Sequence, residues 1–419
     1  MKIALFTYQF YPKYGGISHT TTSLCKLFRE KEHDLHIFNP YHKGKNIHNI
    51  LDKNYYTIKD IYKFLKNKQL LYFLILAIWN IVREKRISLE DRIKMVLFLF
   101  VPKFGIKFTI NLLKTYPYFK KIDFDVIFGC ATGGFTLPLI FVLSRIFKKK
   151  VICLSHGQDF LIKRLISLKA SYIKNLDKII LSNTVMKDLI KSIYNLPEDK
   201  LTIINRGIVL NDYEVKESKE ELRRKLKIKD NCFVILSVGN HVKRKGFDLV
   251  IKAVDKIVKK DPNIPIKYYL IGRGHYTQKL KQITEELNLK NFIEFLGEID
   301  DNERNRYYKL SDVFLMPSTI EKSSIEGFGI TFLEANYFKL PVIGAATGGI
   351  TEAIINGTTG LLVKPNDIND LTEKILFFYN QPEKTKEMGE EGYNRVINNY
   401  NWHKIYEEYI KVFRNVIQE

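Results

Sequence analysis

The sequence predicts an α/β protein of two doubly wound, Rossmann-like domains facing across a cleft. Three observations predict it. Short β-rich runs alternate with helix-length spacers through both halves of the chain. The runs show little polar alternation, as parallel strands covered on both faces do. A charged stretch near residues 205–232, "GIVLNDYEVKESKEELRRKLKIKDN", carries no strand run and divides the others into two sets. A length of 419 residues allows two or three domains at roughly 150 residues each.

The runs of the first half are "KIALFTYQF", "DLHIFNP", "DVIFG", "VICLSHG", "KIILSN" and "LTIINRG". Those of the second are "CFVILSVGN", "PIKYYLIGRG", "FIEFLG", "VFLMPS", "LPVIG" and "GLLVKP". Helix-length spacers between them make βαβ units. The closing "WHKIYEEYIKVFRNVIQE" places Ile405, Tyr409, Val412 and Val416 three or four apart, the pattern of an amphipathic helix. The expected domains are 1–205, completed by a final helix over 401–419, and 206–400.

Composition narrows the class. Cys25, Cys130, Cys153 and Cys232 form no C-x-x-C pair, and three lie in strand-like runs. They read as buried, reduced thiols in a cytoplasmic protein, with no structural zinc. Met1 leads directly into the first strand run, with no secretory leader between. The longest apolar stretch, "LLYFLILAIWNIV" at 70–82, falls short of the ~20 residues of a bilayer span. Net charge is +21, and residues 61–121 hold 13 Lys or Arg against 3 Asp or Glu. Basic residues interleaved with bulky apolar ones suit an anionic membrane surface. A buried helix pair with solvated flanks is the competing reading. No nucleic-acid partner is expected, because no zinc, helix-turn-helix or aromatic RNA-binding signature accompanies the charge.

Wound sheets bind ligands beyond the carboxyl ends of their strands. The candidate loops are therefore "YPKYGG" (11–16), "SHGQD" (155–159), "GNHVKRKG" (239–246), "GRGH" (272–275), "SSIEGFG" (323–329) and "ATGG" (346–349). "TFLEANYF" has a helical pattern, and Gly327 and Gly329 mark its entrance. The free amides from Phe328 through Gly329 and Ile330 to Thr331 then form an anion site. Glu326 lies before this helix and Glu334 about a turn inside it. Eight helical residues span ~12 Å, whereas paired glycosidase carboxylates stand roughly 5–9.5 Å apart. The two glutamates are expected to touch different parts of one extended ligand. Lys243, Arg244 and Lys245 suit a diphosphate beside them. Gly15-Gly16 either cradles phosphate or turns the chain, and His156 is either a ligand contact or a satisfied structural histidine. "DFD" at 123–125 matches a metal-binding D-x-D string, but it stands at the start of a strand, so no metal site is expected. No P-loop, G-x-S-x-G or H-E-x-x-H occurs.

These residues together resemble the retaining, nucleotide-sugar-dependent glycosyltransferases of GT-B fold, family four of the glycosyltransferase classification. The likeness is strongest from about 233 to 365 and rests on "VGNHVKRKGFDLVIKA" and on "EGFGITFLEANYFKLPVIGAATGGITEAIINGTTGLLV", with its E-x7-E pair. The resemblance implies that Glu334 binds the nucleotide ribose and that Glu326 contacts the donor sugar. Phe328, Gly329 and Ile330 would offer amides to sugar or diphosphate, and Lys245 would neutralise the leaving group. Gly16, beside Gly15, would approach the β-phosphate, and His156 would contact the sugar. It further implies a nucleotide-sugar donor and no metal or other cofactor. A glycan or lipid-linked acceptor is expected, and the basic, apolar 61–121 segment is expected to dock the first domain on the cytoplasmic membrane face. Two positions depart from the family pattern. Asn240 stands where an arginine is usual, leaving Arg244 as the substitute cation, and "INRGIVL" replaces the family's P-N-G-[IV]-D. A sugar-nucleotide epimerase and a non-catalytic membrane scaffold of the same fold are the rival expectations.

Overall fold

The computed structural model describes residues 1–7, 16–39, 55–56, 69–84, 87–99, 102–130, 136–155, 166–321 and 326–419. The chain divides into two units, Met1–Asn205 with Ile405–Glu419, and Arg206–Lys404. Each is built on one parallel sheet.

The first sheet contains β1 (Lys2–Phe6), β2 (Asp34–Phe38), β3 (Tyr55–Tyr56), β4 (Val126–Cys130), β5 (Lys150–Leu154), β6 (Lys178–Leu181) and β7 (Leu201–Ile203). Its order is β3-β2-β1-β4-β5-β6-β7. Six of these match the expected runs. The two-residue β3 does not, because so short an edge strand has no run to read. β1, β2, β4 and β5 are buried along nearly their whole length, as the unalternating apolar pattern requires.

The second sheet contains β8 (Phe233–Val238), β9 (Ile266–Ile271), β10 (Ile293–Gly297), β11 (Val313–Met316), β12 (Val342–Ala345) and β13 (Gly360–Val363). Its order, β10-β9-β8-β11-β12-β13, reverses direction between β8 and β11. That switch point leaves a crevice at the strands' carboxyl ends, where the connections from β8 and β11 diverge.

The charged stretch after residue 205 is folded into the second unit. Ser218 and Glu221 form a capping box on the Lys219–Lys225 helix. Asp312, just before β11, holds that helix to the sheet. It accepts hydrogen bonds from Lys219 at 2.7 Å, from Arg223 at 2.6 Å and from the Val234 amide at 2.7 Å.

The helix Trp402–Gln418 buries Ile405, Tyr409, Phe413 and Val416, and Phe413 stacks on Phe28 of the first unit with centroids 5.6 Å apart. Phe413, rather than the half-buried Val412, carries that contact. All four cysteines are free thiols, three buried and Cys232 half-buried. Asp125 precedes β4 rather than opening it and accepts from the Lys2 amide at 2.7 Å, and Asp123 pairs with Lys149 at 2.6 Å.

Asp312→Ala leaves the buried Arg223 guanidinium without its carboxylate. The expected cost is about 3 kcal/mol, read as a fall in the urea midpoint with an unchanged slope.

Candidate functional site

The site begins where β8 ends. The chain runs through Gly239, Asn240 and His241 into a single 3₁₀ turn, Lys243–Lys245. Gly246 follows in the left-handed region, with φ 71°, and caps the helix Phe247–Lys260. A Cβ on Gly246 would stand 2.2 Å from the Pro317 carbonyl oxygen, so only glycine lets this turn lie against the loop after β11. The Thr319 amide donates to the Arg244 carbonyl at 2.8 Å and joins the same two loops.

The loop after β11 brings Glu326 to the turn. Arg244 donates to its Oε2 at 2.7 Å, and Lys245 to the same oxygen at 2.8 Å. All three side chains are 13% exposed. Burial alone would push the Glu326 carboxyl up, but the charges and hydrogen bonds of Lys245 and Arg244 outweigh it and hold the group at about 2. Lys245 also reaches the Met316 sulfur at 3.1 Å. The Glu326 carbonyl accepts from the Gly349 amide at 3.1 Å, so the second "ATGG" loop fixes the backbone behind the carboxylate. Two cations facing one carboxylate leave the cluster with a net positive charge.

Gly329, with φ 82°, caps the helix Ile330–Tyr337 without any side-chain hydrogen bond. The Phe332 amide donates to the Gly329 carbonyl at 2.9 Å, no side chain caps the amides before it, and the helix dipole adds to the positive field there. Phe328 is fully buried against Tyr400, with centroids 5.7 Å apart, and Ile330 is half-buried.

Glu334 lies on this helix, only 5% exposed. Tyr213 donates to one of its oxygens at 2.9 Å and Tyr308 to the other at 2.8 Å. Burial, then the Glu334 charge, pushes both phenols well above their usual range. Burial works against the charge on Arg304, but Glu334 outweighs it and raises the guanidinium further. Arg304 also lies over the Tyr213 ring at 5.8 Å. Glu326 and Glu334 therefore belong to separate hydrogen-bonded networks and do not act as a carboxylate pair. Tyr213, Tyr308 and Arg304 carry no sequence signal for this role. Tyr213 sits in the stretch that reads as a charged connector, and Tyr308 and Arg304 on an ordinary polar helix.

Asn240 is exposed. Its neighbour His241 is buried, 2.9 Å from the Thr277 hydroxyl, and burial pushes the imidazole down to about 4, so the ring is neutral. Gly16 opens the helix Gly16–Glu30. Gly15 and His156 lie outside the described residues. Among the described residues, no group of three or more His, Cys, Asp or Glu is arranged to hold a metal ion.

Two doubly wound parallel units in one chain define the GT-B class of architecture. Residues 218–395 match the family model for glycosyl transferases group 1. An uncharacterised glycosyltransferase of Methanocaldococcus jannaschii is 28% identical over 74% of this chain and 80% of its own length. A GDP-mannose-dependent phosphatidylinositol monomannoside mannosyltransferase of Mycolicibacterium smegmatis is 27% identical over 40% of this chain and 44% of its own length. Among solved structures, the Anabaena protein HepE in complex with UDP and glucose superposes with a TM-score of 0.71 at 16% identity, covering 99% of this chain and 100% of that one. Sucrose-phosphate synthase of Thermosynechococcus elongatus gives 0.75 at 18% identity, covering 100% and 99%. These low identities speak for the fold. The match to the glycosyl transferases group 1 model falls within the second unit.

Two outcomes are expected of this geometry. The depressed Glu326 carboxyl contributes stability that is complete above the ordinary 4.5 and is lost as pH falls through about 2. Between these limits the wild type should lose about 3 kcal/mol more than Glu326→Gln, measured by urea unfolding across acid pH. Tyr308→Phe removes a donor from a buried carboxylate and should cost about 2 kcal/mol in the same assay at neutral pH.

Proposed function

We propose that the chain is a retaining glycosyltransferase. It moves a sugar from a nucleoside-diphosphate sugar to a glycan or lipid-linked acceptor in the synthesis of a cell-surface polysaccharide or glycolipid. The observation that carries this reading is the Arg244–Glu326–Lys245 cluster beside a helix N-terminus that no side chain caps, at the sheet's switch point, within the residues that match the glycosyl transferases group 1 model.

The chemistry follows from charge. Breaking the bond between the anomeric carbon and the diphosphate puts negative charge on the leaving oxygen. Lys245, Arg244 and the amides from Phe328 to Ile330 supply preorganised positive charge for it. On this reading no divalent metal is required. The acceptor oxygen bonds to the face the diphosphate leaves, so configuration is retained. Its hydroxyl proton passes to the departing phosphate oxygen, and no enzyme nucleophile takes part. Glu326, ionised at neutral pH, accepts a hydrogen bond from a donor-sugar hydroxyl. Glu334 takes the ribose through the lone pairs that the tyrosines leave open. Gly15, Gly16 and His156 keep the donor contacts that the resemblance implies, and Asn240 lines the donor loop.

The reading places the protein at the inner face of the cell membrane, bound peripherally to anionic lipid. No helix among the described residues is long and apolar enough to cross a membrane. The mycobacterial relative is named for a lipid-linked acceptor and GDP-mannose, and the Anabaena protein was solved with UDP, so experiment must choose the base.

Thermal unfolding with UDP, GDP, ADP and their sugars, without metal, makes that choice. A nucleotide at ~100 times its dissociation constant should stabilise by roughly 2.7 kcal/mol, a shift of a few degrees. Lys245→Ala and Glu334→Ala should abolish the shift. No shift with any nucleotide would sink the donor site and leave the scaffold reading. A product with inverted anomeric configuration would sink the mechanism.

A further inference from the structure

Met316 is the last residue of β11 and is fully buried. By composition it is an ordinary core methionine. Its sulfur is placed otherwise. Lys245 donates to Sδ at 3.1 Å, and the Thr331 hydroxyl, in the first turn of the helix Ile330–Tyr337, lies 3.6 Å from the same atom. A Cβ on Gly329 would stand 3.3 Å from the Met316 methyl carbon, so the methyl packs against the bare glycine turn. Phe314, two residues earlier on the same face of the strand, meets Phe332 of that helix edge-on with centroids 5.6 Å apart. The thioether therefore joins the turn after β8 to the entrance of the helix after β11, and its methyl end is held.

We propose that Met316 is a positioning residue for Lys245, its sulfur aiming the ammonium at the diphosphate without cancelling any of its charge. The inference rests on the donor reading above and adds to it a residue that touches no substrate.

An ammonium carries three N–H donors. One goes to Glu326 Oε2 at 2.8 Å and one to Met316 Sδ at 3.1 Å. The third has no acceptor among the described residues, and tetrahedral geometry sets its direction once the other two are engaged. With the Glu326 contact alone the ammonium would be free to turn about that bond, and its other donors would point nowhere in particular. Sulfur suits the task. A carboxylate in its place would fix the direction too, but two carboxylates against Arg244 and Lys245 would bring the cluster to neutrality. A leucine would fill the space and accept nothing. A thioether accepts weakly, carries no charge and tolerates burial. Lys245 is only 13% exposed, so water competes little for its donors. The charge that meets the leaving oxygen is thus both undiminished and aimed.

Binding separates this role from packing. On the donor reading Lys245 meets the β-phosphate, which a nucleoside monophosphate lacks. Calorimetric titration of the full chain with UDP and UMP, GDP and GMP, and ADP and AMP gives the ratio of diphosphate to monophosphate affinity. Met316→Leu nearly keeps the volume and should lower that ratio by about fivefold, through weaker binding of the diphosphate alone. Selenomethionine in place of all five methionines keeps an acceptor of the same kind and should preserve the ratio. Norleucine in their place, a methylene for each sulfur, should reproduce the loss and add nothing in the Met316→Leu chain. The norleucine protein also carries the test if the leucine variant does not fold. An unchanged ratio in Met316→Leu overturns the inference and leaves the donor site standing. So does an equal loss of both nucleotides, the mark of a packing residue. No binding of any nucleotide to the wild type removes the donor reading and the role of Met316 with it.

Discussion

The second unit is organised around one electrostatic constraint, a buried glutamate held between two buried cations. Removing Glu326 from water is costly, and a single cation would leave one of its interactions unmet. Arg244 and Lys245 share one of its oxygens, which holds the loop after β8 to the loop after β11. Gly246 permits that approach and Gly349 backs it from a third loop. The crevice at a wound sheet's switch point is thereby given a fixed charge and a fixed floor. The helix beyond Gly329, which no side chain caps, adds oriented amides to the same place. What the sheet supplies is position, and what the three side chains supply is sign.

The fold was legible because its strands are covered on both faces. Runs such as "VFLMPS" and "LPVIG" have no polar alternation to confuse them, and the helices between them are long enough to count. What stayed hidden is local. β3 is two residues long and belongs to the edge of its sheet. The Lys219–Lys225 helix is short, highly charged and held by Asp312 and the carbonyls of Leu310 and Ser311, about ninety positions away in the chain. Pattern reading sees periodicity, and neither feature has enough residues to show one.

The site divides the same way. Gly-Phe-Gly before an apolar helix announces an N-terminus, and a run of three cations after a strand announces an anion partner, so Glu326, Arg244 and Lys245 could be picked out. That both cations meet at one carboxylate oxygen could not, because the contact depends on how far two loops curl. Glu334 is a sharper case. Its carboxylate is clasped by Tyr213 and Tyr308, one from a connector and one from a helix, and no spacing rule links those three positions. Buried tyrosines are ordinary core residues by composition, and only the distances separate these two from the rest.

The path of the final helix has a consequence for synthesis. Residues 405–419 belong to the first unit, yet they emerge from the ribosome only after all of the second. At about 5–20 residues per second, the roughly 200 residues of the second unit take on the order of 10–40 s to make. Throughout that interval Phe28 and Phe128 lack the Phe413 ring that will cover them. The unit made first is therefore the one completed last. It waits, with part of its core open to chaperones, for a helix encoded beyond its neighbour.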